Sequence, residues 1–210
     1  ALTNTIDRLR AAGIAVVAAT LVVAAASIAL VGNGDARIPF AVFGATLFIA
    51  AVGFADDVRS IPVLPRLLLQ GAAVAVVILA APEGLRVVPA CPLWLERTLL
   101  LLAGLWFVNL VNFMDGLDLM TVAEIVPITG TVLLLGWLSD LPASTTLVAA
   151  ALFGAMLGFA PFNRPVAKIF LGDVGSLPIG LLVGWCLLQL AWHQQFAAAL
   201  LLPLYYLADA

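Results

Sequence analysis

Charge is what this chain of 210 residues has least of: Asp, Glu, Lys and Arg make up 10% of it, where a soluble domain carries about 25%. So few charges cannot cover a globule in water, and a cytosolic globular protein is excluded. Cysteine is scarce too. Cys91 and Cys186 are too few for a disulfide framework, and both read as structural. Nine Lys+Arg stand against twelve Asp+Glu, a net charge of -3, and no basic run exists, so the chain has no footprint for nucleic acid. Self-similarity at a period of about 20–50 residues is absent, which removes solenoids and duplicated halves.

What fills the chain instead is apolar: 64% of its residues are hydrophobic and the mean hydropathy is +1.19. Its natural solvent is a bilayer. A spanning helix needs about 20 mostly apolar residues, and on that measure the chain is an all-α polytopic membrane protein of about eight helices. They are expected near 11–32, 38–55, 66–82, 97–114, 121–138, 145–162, 177–192 and 196–208, with a tight turn at His193 and Gln194 joining the last two. The first apolar run is too long for a signal peptide and has no small-residue cleavage pattern. The chain opens on Ala1 rather than Met, and its last apolar run nearly reaches Ala210, so it is expected to be a piece of a longer protein.

Orientation follows from the Lys/Arg bias. With the N-terminus in the cytoplasm, Arg8, Arg10, Arg59, Arg66, Arg164 and Lys168 lie inside and Arg37, Arg86 and Arg97 outside. The same alternation sends the segments after the second, fourth and sixth helices to the cytoplasmic side. Those segments hold Asp56 and Asp57, Asp115 and Asp118, and Asp173. The outward loops hold only scattered acids: Asp35, Glu83, Glu96 and Asp140. A charged side chain at the centre of a span costs about 2.5–3.5 kcal/mol on insertion scales. Helix ends are where charge is cheapest, but paired acids gathered on one face call for a further reason.

Asp56 and Asp57 follow the apolar run from Ile49 to Ala55, and Pro62 and Pro65 then interrupt the helix. Adjacent carboxylates repel unless a divalent metal, a basic partner or a shared proton intervenes. Ser60 stands where an Asp-Asp-x-x-Asp pattern would place its third acid. Arg66 and Gln70 open the next helix one turn apart and could face the same site. The fourth helix ends on Asn109, Asn112, Asp115 and Asp118, spaced by three, so the first three make a polar edge on an oily segment. Such groups can bind Mg²⁺ or a nucleotide, or serve as amide glue between helices. Gly172, Asp173, Gly175 and Ser176 open the seventh helix, where small residues and free backbone amides favour phosphate. Arg164 and Lys168 add positive charge nearby. An intramembrane aspartyl protease would need Gly-x-Gly-Asp, and Phe170 occupies the position of its first glycine.

Together, Gly53-Phe54-Ala55-Asp56-Asp57, the segment from Asn109 to Asp118 and Lys168-Ile169-Phe170-Leu171-Gly172-Asp173-Val174-Gly175-Ser176 resemble the polyprenyl-phosphate N-acetylhexosamine-1-phosphate transferases, glycosyl transferase family 4. That family includes the phospho-N-acetylmuramoyl-pentapeptide transferases and the undecaprenyl-phosphate N-acetylglucosamine-1-phosphate transferases. The resemblance covers about residues 11–209 and makes 1–210 a single integral-membrane transferase domain. Members usually have about ten spans, so the first and last are expected to be missing. So is a His- and Arg-containing cytoplasmic loop near the C-terminus that helps bind the sugar nucleotide, because His193 falls on the outer side as a surface residue. Leu119 stands where the family usually has glycine, which could alter the turn near the sugar site.

The resemblance implies attack by a lipid phosphate oxygen on the β-phosphorus of a UDP-sugar, giving a polyprenyl-diphosphate sugar and UMP, the first membrane step of a cell-envelope glycan pathway such as O-antigen or cell-wall synthesis. Both reactants are anionic, so catalysis must mainly neutralise charge and align groups, with Mg²⁺, or Mn²⁺ in its place, as cofactor. It assigns metal binding to Asp173 with Asn112 as second ligand. Asp56 and Asp57 deprotonate or position the lipid phosphate; Asn109, Asp115, Asp118, Arg164 and Lys168 bind substrate. The implied partners are a UDP-sugar, a polyprenyl phosphate and the bacterial inner membrane, and a homodimer is compatible with it. The rival classes are an ion- or proton-coupled transporter, which predicts acids near mid-span on discontinuous helices, and a catalytically inert membrane scaffold.

Overall fold

The computed structural model describes residues 2–31 and 37–209, with side chains from Ala12 and from Ile38 onward. The side chains of Arg8, Arg10, Asp35 and Arg37, used above to judge sidedness, lie outside the described residues. The described residues contain helices and no strand. In chain order they are α1 (Leu2–Val31), α2 (Arg37–Val58), α3 (Val63–Leu79), α4 (Leu93–Met114), α5 (Met120–Leu138), α6 (Ala143–Phe159), α7 (Asp173–Trp192), α8 (Phe196–Leu201) and α9 (Leu204–Asp209), with one 3₁₀ turn at Ala160–Phe162. Six of them are long and apolar enough to cross a membrane, and α3 is a shorter apolar helix.

The helix starts differ from the expected ones for a reason visible in the residues. Helices α3, α4 and α6 begin directly after Pro62, Pro92 and Pro142, whose fixed φ suits the entry to a helix. Glu96, expected in front of its helix, therefore sits in the first turn of α4, and Arg66 and Arg97, expected as first residues, are the fourth of α3 and the fifth of α4. The expected final span, 196–208, is two helices: Pro203 has no N–H to donate, and the chain breaks at Leu202 and Pro203 between α8 and α9.

Helix α7 is the centre of the bundle. It is apolar on all sides, which suits a helix with no solvent face, and 83% of its span is buried. It packs against α1, α2, α4 and α8. Two crossings depend on glycine. A Cβ on Gly53 would lie 2.3 Å from the Asp173 carbonyl oxygen, and one on Gly13 would lie 2.8 Å from the Gly175 Cα. At the opposite end of the bundle, Glu96 is 4% exposed; it accepts Arg86 Nε at 2.6 Å and the Val87 N–H at 2.7 Å. Arg97 donates to the carbonyls of Ile78 at 2.8 Å and Pro82 at 3.0 Å and lies 5.6 Å from the centre of the Trp192 ring. These charges, expected on the outward side, cap the end of α3 and tie it to α4 and α7.

Candidate active site

The site is built where α2 and α4 end and α7 begins. Asp56, on the last turn of α2, accepts the Ile61 N–H at 2.5 Å and Arg66 Nη1 at 2.8 Å, and its side chain is 8% exposed. Arg66 is thus the basic partner that an Asp-Asp pair requires. Asp57 accepts the backbone N–H of Val174 at 3.0 Å, in the first turn of α7. The helix provides no cap of its own there, because its N-cap is Gly172, so a carboxylate from α2 takes an orphan donor of α7. Gly172 has φ of 63°, and a Cβ on it would lie 2.9 Å from Asp57 Oδ2. Both the left-handed backbone and the close approach call for glycine.

Asp173, the first residue of α7, faces Asp56, Asp57 and Asn112. Asn112 also accepts the Ser176 hydroxyl, which lies one turn along α7. Asp115 caps α4 and accepts the hydroxyl of Thr121 from α5. Burial pushes its carboxyl up to about 7, and the charge of Asp173 adds to the rise while the Thr121 bond opposes it.

The loop between α6 and α7 is tied down on the same end. Asp118 accepts the Ala167 N–H at 3.1 Å, and the buried Asn163 accepts the Leu119 N–H at 2.8 Å and donates to the Ile169 carbonyl at 3.0 Å. Leu119 itself has φ of 62° and ψ of -3°, a conformation that costs a leucine and suits the glycine expected there. Arg164 and Lys168 are exposed on this loop. Asn109 turns elsewhere: it donates to Gln70 Oε1 of α3 at 2.8 Å and to the Leu105 carbonyl at 2.8 Å, the interhelical amide contact that was the alternative to substrate binding.

The structure therefore brings Asp56, Asp57, Asn112 and Asp173 into one cluster, with Asp115 beside it and Asp118 holding the adjoining loop. Among the described residues no three His, Cys, Asp or Glu side chains form a metal cage. Residues to which the sequence reading gave no part are Asn163 and Thr121. Thr121 had a signal, a hydroxyl in the first turn of a helix beside an acidic motif; Asn163 had only its place directly after a helix end.

The profile of glycosyl transferase family 4 matches residues 39–191, which take in α2 through α7 except for the start of α2 and the last residue of α7. The chain belongs to glycosyl transferase family 4. Among curated relatives, the phospho-N-acetylmuramoyl-pentapeptide-transferase of Enterococcus faecalis is 33% identical over 103 residues, 49% of this chain and 31% of that protein. The protein of the same name from Kocuria rhizophila is 32% identical over 184 residues, covering 65% of this chain and 49% of its own length. That from Shouchella clausii is 39% identical over 87 residues, 41% of this chain and 26% of the relative. The chain thus matches less than half the length of these relatives. In this family 4 chain the acids sit at helix ends, as the transferase reading expects, rather than at mid-span as a transporter requires.

Proposed function

We propose that this chain carries the catalytic face of an enzyme that transfers a sugar 1-phosphate from a UDP-sugar to a polyprenyl phosphate, releasing UMP and leaving a polyprenyl-diphosphate sugar. The observation that carries the reading is the meeting of Asp56, Asp57 and Asp173 at the joint of α2 and α7. Three carboxylates are held together there although they repel one another. The family membership and the name shared by the relatives support phosphosugar transfer.

The donor set fits Mg²⁺, which keeps several waters and takes one or two carboxylates together with substrate phosphates rather than an all-protein cage. Asp173 would hold it; Asn112 would join only by releasing Ser176, and otherwise orients Asp173. When bound, the ion supplies charge neutralisation at the diphosphate. Asp56, backed by Arg66, and Asp57, fixed by the Val174 N–H, are placed to receive the lipid phosphate and to take its remaining proton. Asp115 faces the nucleotide, and Asp118 keeps the loop bearing Arg164 and Lys168 beside it. The prenyl chain would lie in the apolar cavity of about 200 Å³ between α3, α4, α7 and α8, lined by Val74, Ile78, Phe107, Gly180, Gly184 and Leu200 among others. Its inner end at Val108 is one helical turn from Asn112.

The cytoplasmic face of a bacterial inner membrane is where this reading puts the acids, and the sugar is most simply an N-acetylhexosamine. The test is transfer by the protein expressed from its complete gene: labelled UDP-N-acetylhexosamines with undecaprenyl phosphate and Mg²⁺ yield a labelled lipid and UMP. Failure with the whole panel of sugars overturns the reading.

A further inference from the structure

Behind Asp115 lies a second group of buried polar side chains to which the reaction above gives no part. Glu124, on the second turn of α5, is 8% exposed, Tyr206 of α9 is fully buried, and Thr121 is 1% exposed. The Tyr206 hydroxyl and Glu124 Oε1 are buried without a hydrogen-bond partner among the described residues. The phenol hydroxyl is directed at Thr121, within the electrostatic reach of Glu124 and Asp115, and the Glu124 carboxyl faces the backbone N–H of Tyr206. That N–H belongs to the first turn of α9, which begins after the break at Pro203 and so has no acceptor of its own.

Each unsatisfied buried oxygen lowers the stability of the fold. Phe at 206 and an apolar residue at 124 would remove that cost, so retaining both polar groups needs a reason. The contacts offer one. Thr121 donates to Asp115, and the Tyr206 hydroxyl is directed at Thr121, a neutral O–H that adds no charge beside a site already crowded with carboxylates. We propose that Glu124 and Tyr206 are positioning residues. Glu124 holds the start of α9, and Tyr206 sets the Thr121–Asp115 pair for the nucleotide. This rests on the transferase reading, in which Asp115 faces the nucleotide.

The test measures UMP binding by calorimetry and the KM for each substrate, using the protein from its complete gene in detergent. Tyr206→Phe keeps the ring and its packing and removes a buried unsatisfied oxygen, so it is expected to melt at or above the wild-type temperature. It is also expected to weaken UMP binding and raise the KM for the UDP-sugar roughly tenfold, with the KM for polyprenyl phosphate unchanged. Glu124→Gln keeps a carbonyl oxygen for the Tyr206 N–H and behaves as wild type; Glu124→Leu does not, and shows the Tyr206→Phe phenotype or fails to fold. Wild-type UMP binding in Tyr206→Phe, or an equal loss for both substrates, overturns the proposal while leaving the transferase intact. A wild-type protein that neither binds UMP nor transfers sugar phosphate overturns both.

Discussion

Asp57 and Val174 join the two halves of the site: a carboxylate at the end of α2 accepts the N–H in the first turn of α7 at 3.0 Å. One side chain thereby caps a helix and stands in the proposed reaction zone. Asp57→Asn keeps an oxygen to accept that N–H, so its melting temperature should stay within a few degrees of wild type while transfer falls at least a hundredfold. Asp57→Ala should lose both, since a lost cap costs about 1 kcal/mol. Gly172→Ala should fold poorly, with about 1–3 kcal/mol from a positive-φ, extended backbone that glycine alone adopts readily added to the clash with Asp57. Thermal melts beside transfer assays separate the two roles; an active Asp57→Asn would leave Asp57 as a cap alone.

The ties from Asp57 to Val174, Asp118 to Ala167 and Leu119 to Asn163 place three loops on one side of the membrane. Single cysteines replacing Ser60, Leu117 and Val166, all exposed, should react with an impermeant thiol reagent only in inside-out vesicles. Cys91, in the α3–α4 connection at the other end of the bundle, should react from outside. One inner-loop position labelled from outside would break the single-site arrangement.

Much of this was legible in the residues. Span lengths follow from the apolar runs, and acids at the ends of alternate spans had to share a face once the spans alternated. The i, i+3 spacing of Asn109, Asn112 and Asp115 gave a polar edge but not its partners, because periodicity fixes a face and says nothing of the helix opposite. Hence Asn109 meets Gln70 of α3 while Asn112 meets Ser176 of α7. Pro203 was in plain view, yet the apolar run passes through it, and hydropathy cannot see a missing N–H. Asn163 was illegible for another reason: its value lies in contacts to Leu119, 44 residues away in sequence.

Asp115 gives the stability a pH dependence with a definite sign. Its carboxyl titrates near 3.8 when unperturbed and at about 7 in the fold, because burial opposes its charge. Between those values the folded chain holds a proton the unfolded chain has released, so stability falls as pH rises through the window and levels off above it. Asp115→Asn removes the term. Melting curves from pH 4.5 to 8.5 in EDTA should fall less steeply for the variant, which should be the more stable protein at pH 8. Parallel slopes for the two proteins would rule the term out.

The Arg86–Glu96 pair at the far end predicts a purely structural loss. Glu96 is 4% exposed and accepts both Arg86 and the Val87 N–H. Removing one partner of a buried pair strands the other, at roughly 3–5 kcal/mol; Arg86 keeps some solvent contact, which moderates the cost. Glu96→Ala should therefore lower the melting temperature clearly. The KM of the protein that remains folded should not move. A shift in KM without a loss of stability would mean that this end of the bundle communicates with the site.

Reversibility separates a transferase from a transporter most sharply. Moving a sugar phosphate from a UDP-sugar to a lipid phosphate, with UMP leaving, exchanges one phosphoanhydride for another of similar energy, so the same groups must serve both directions. Labelled UMP should therefore enter the UDP-sugar pool when the lipid-diphosphate sugar is supplied, and the exchange should stop on chelation of divalent ions. Asp173→Asn keeps the size of the side chain and its contact with Asn112 but loses the charge that holds an ion, so it should insert normally and abolish exchange. Purified protein that gave neither transfer nor exchange, while liposomes containing it showed uptake lost on Asp173→Asn, would assign the acids to transport instead.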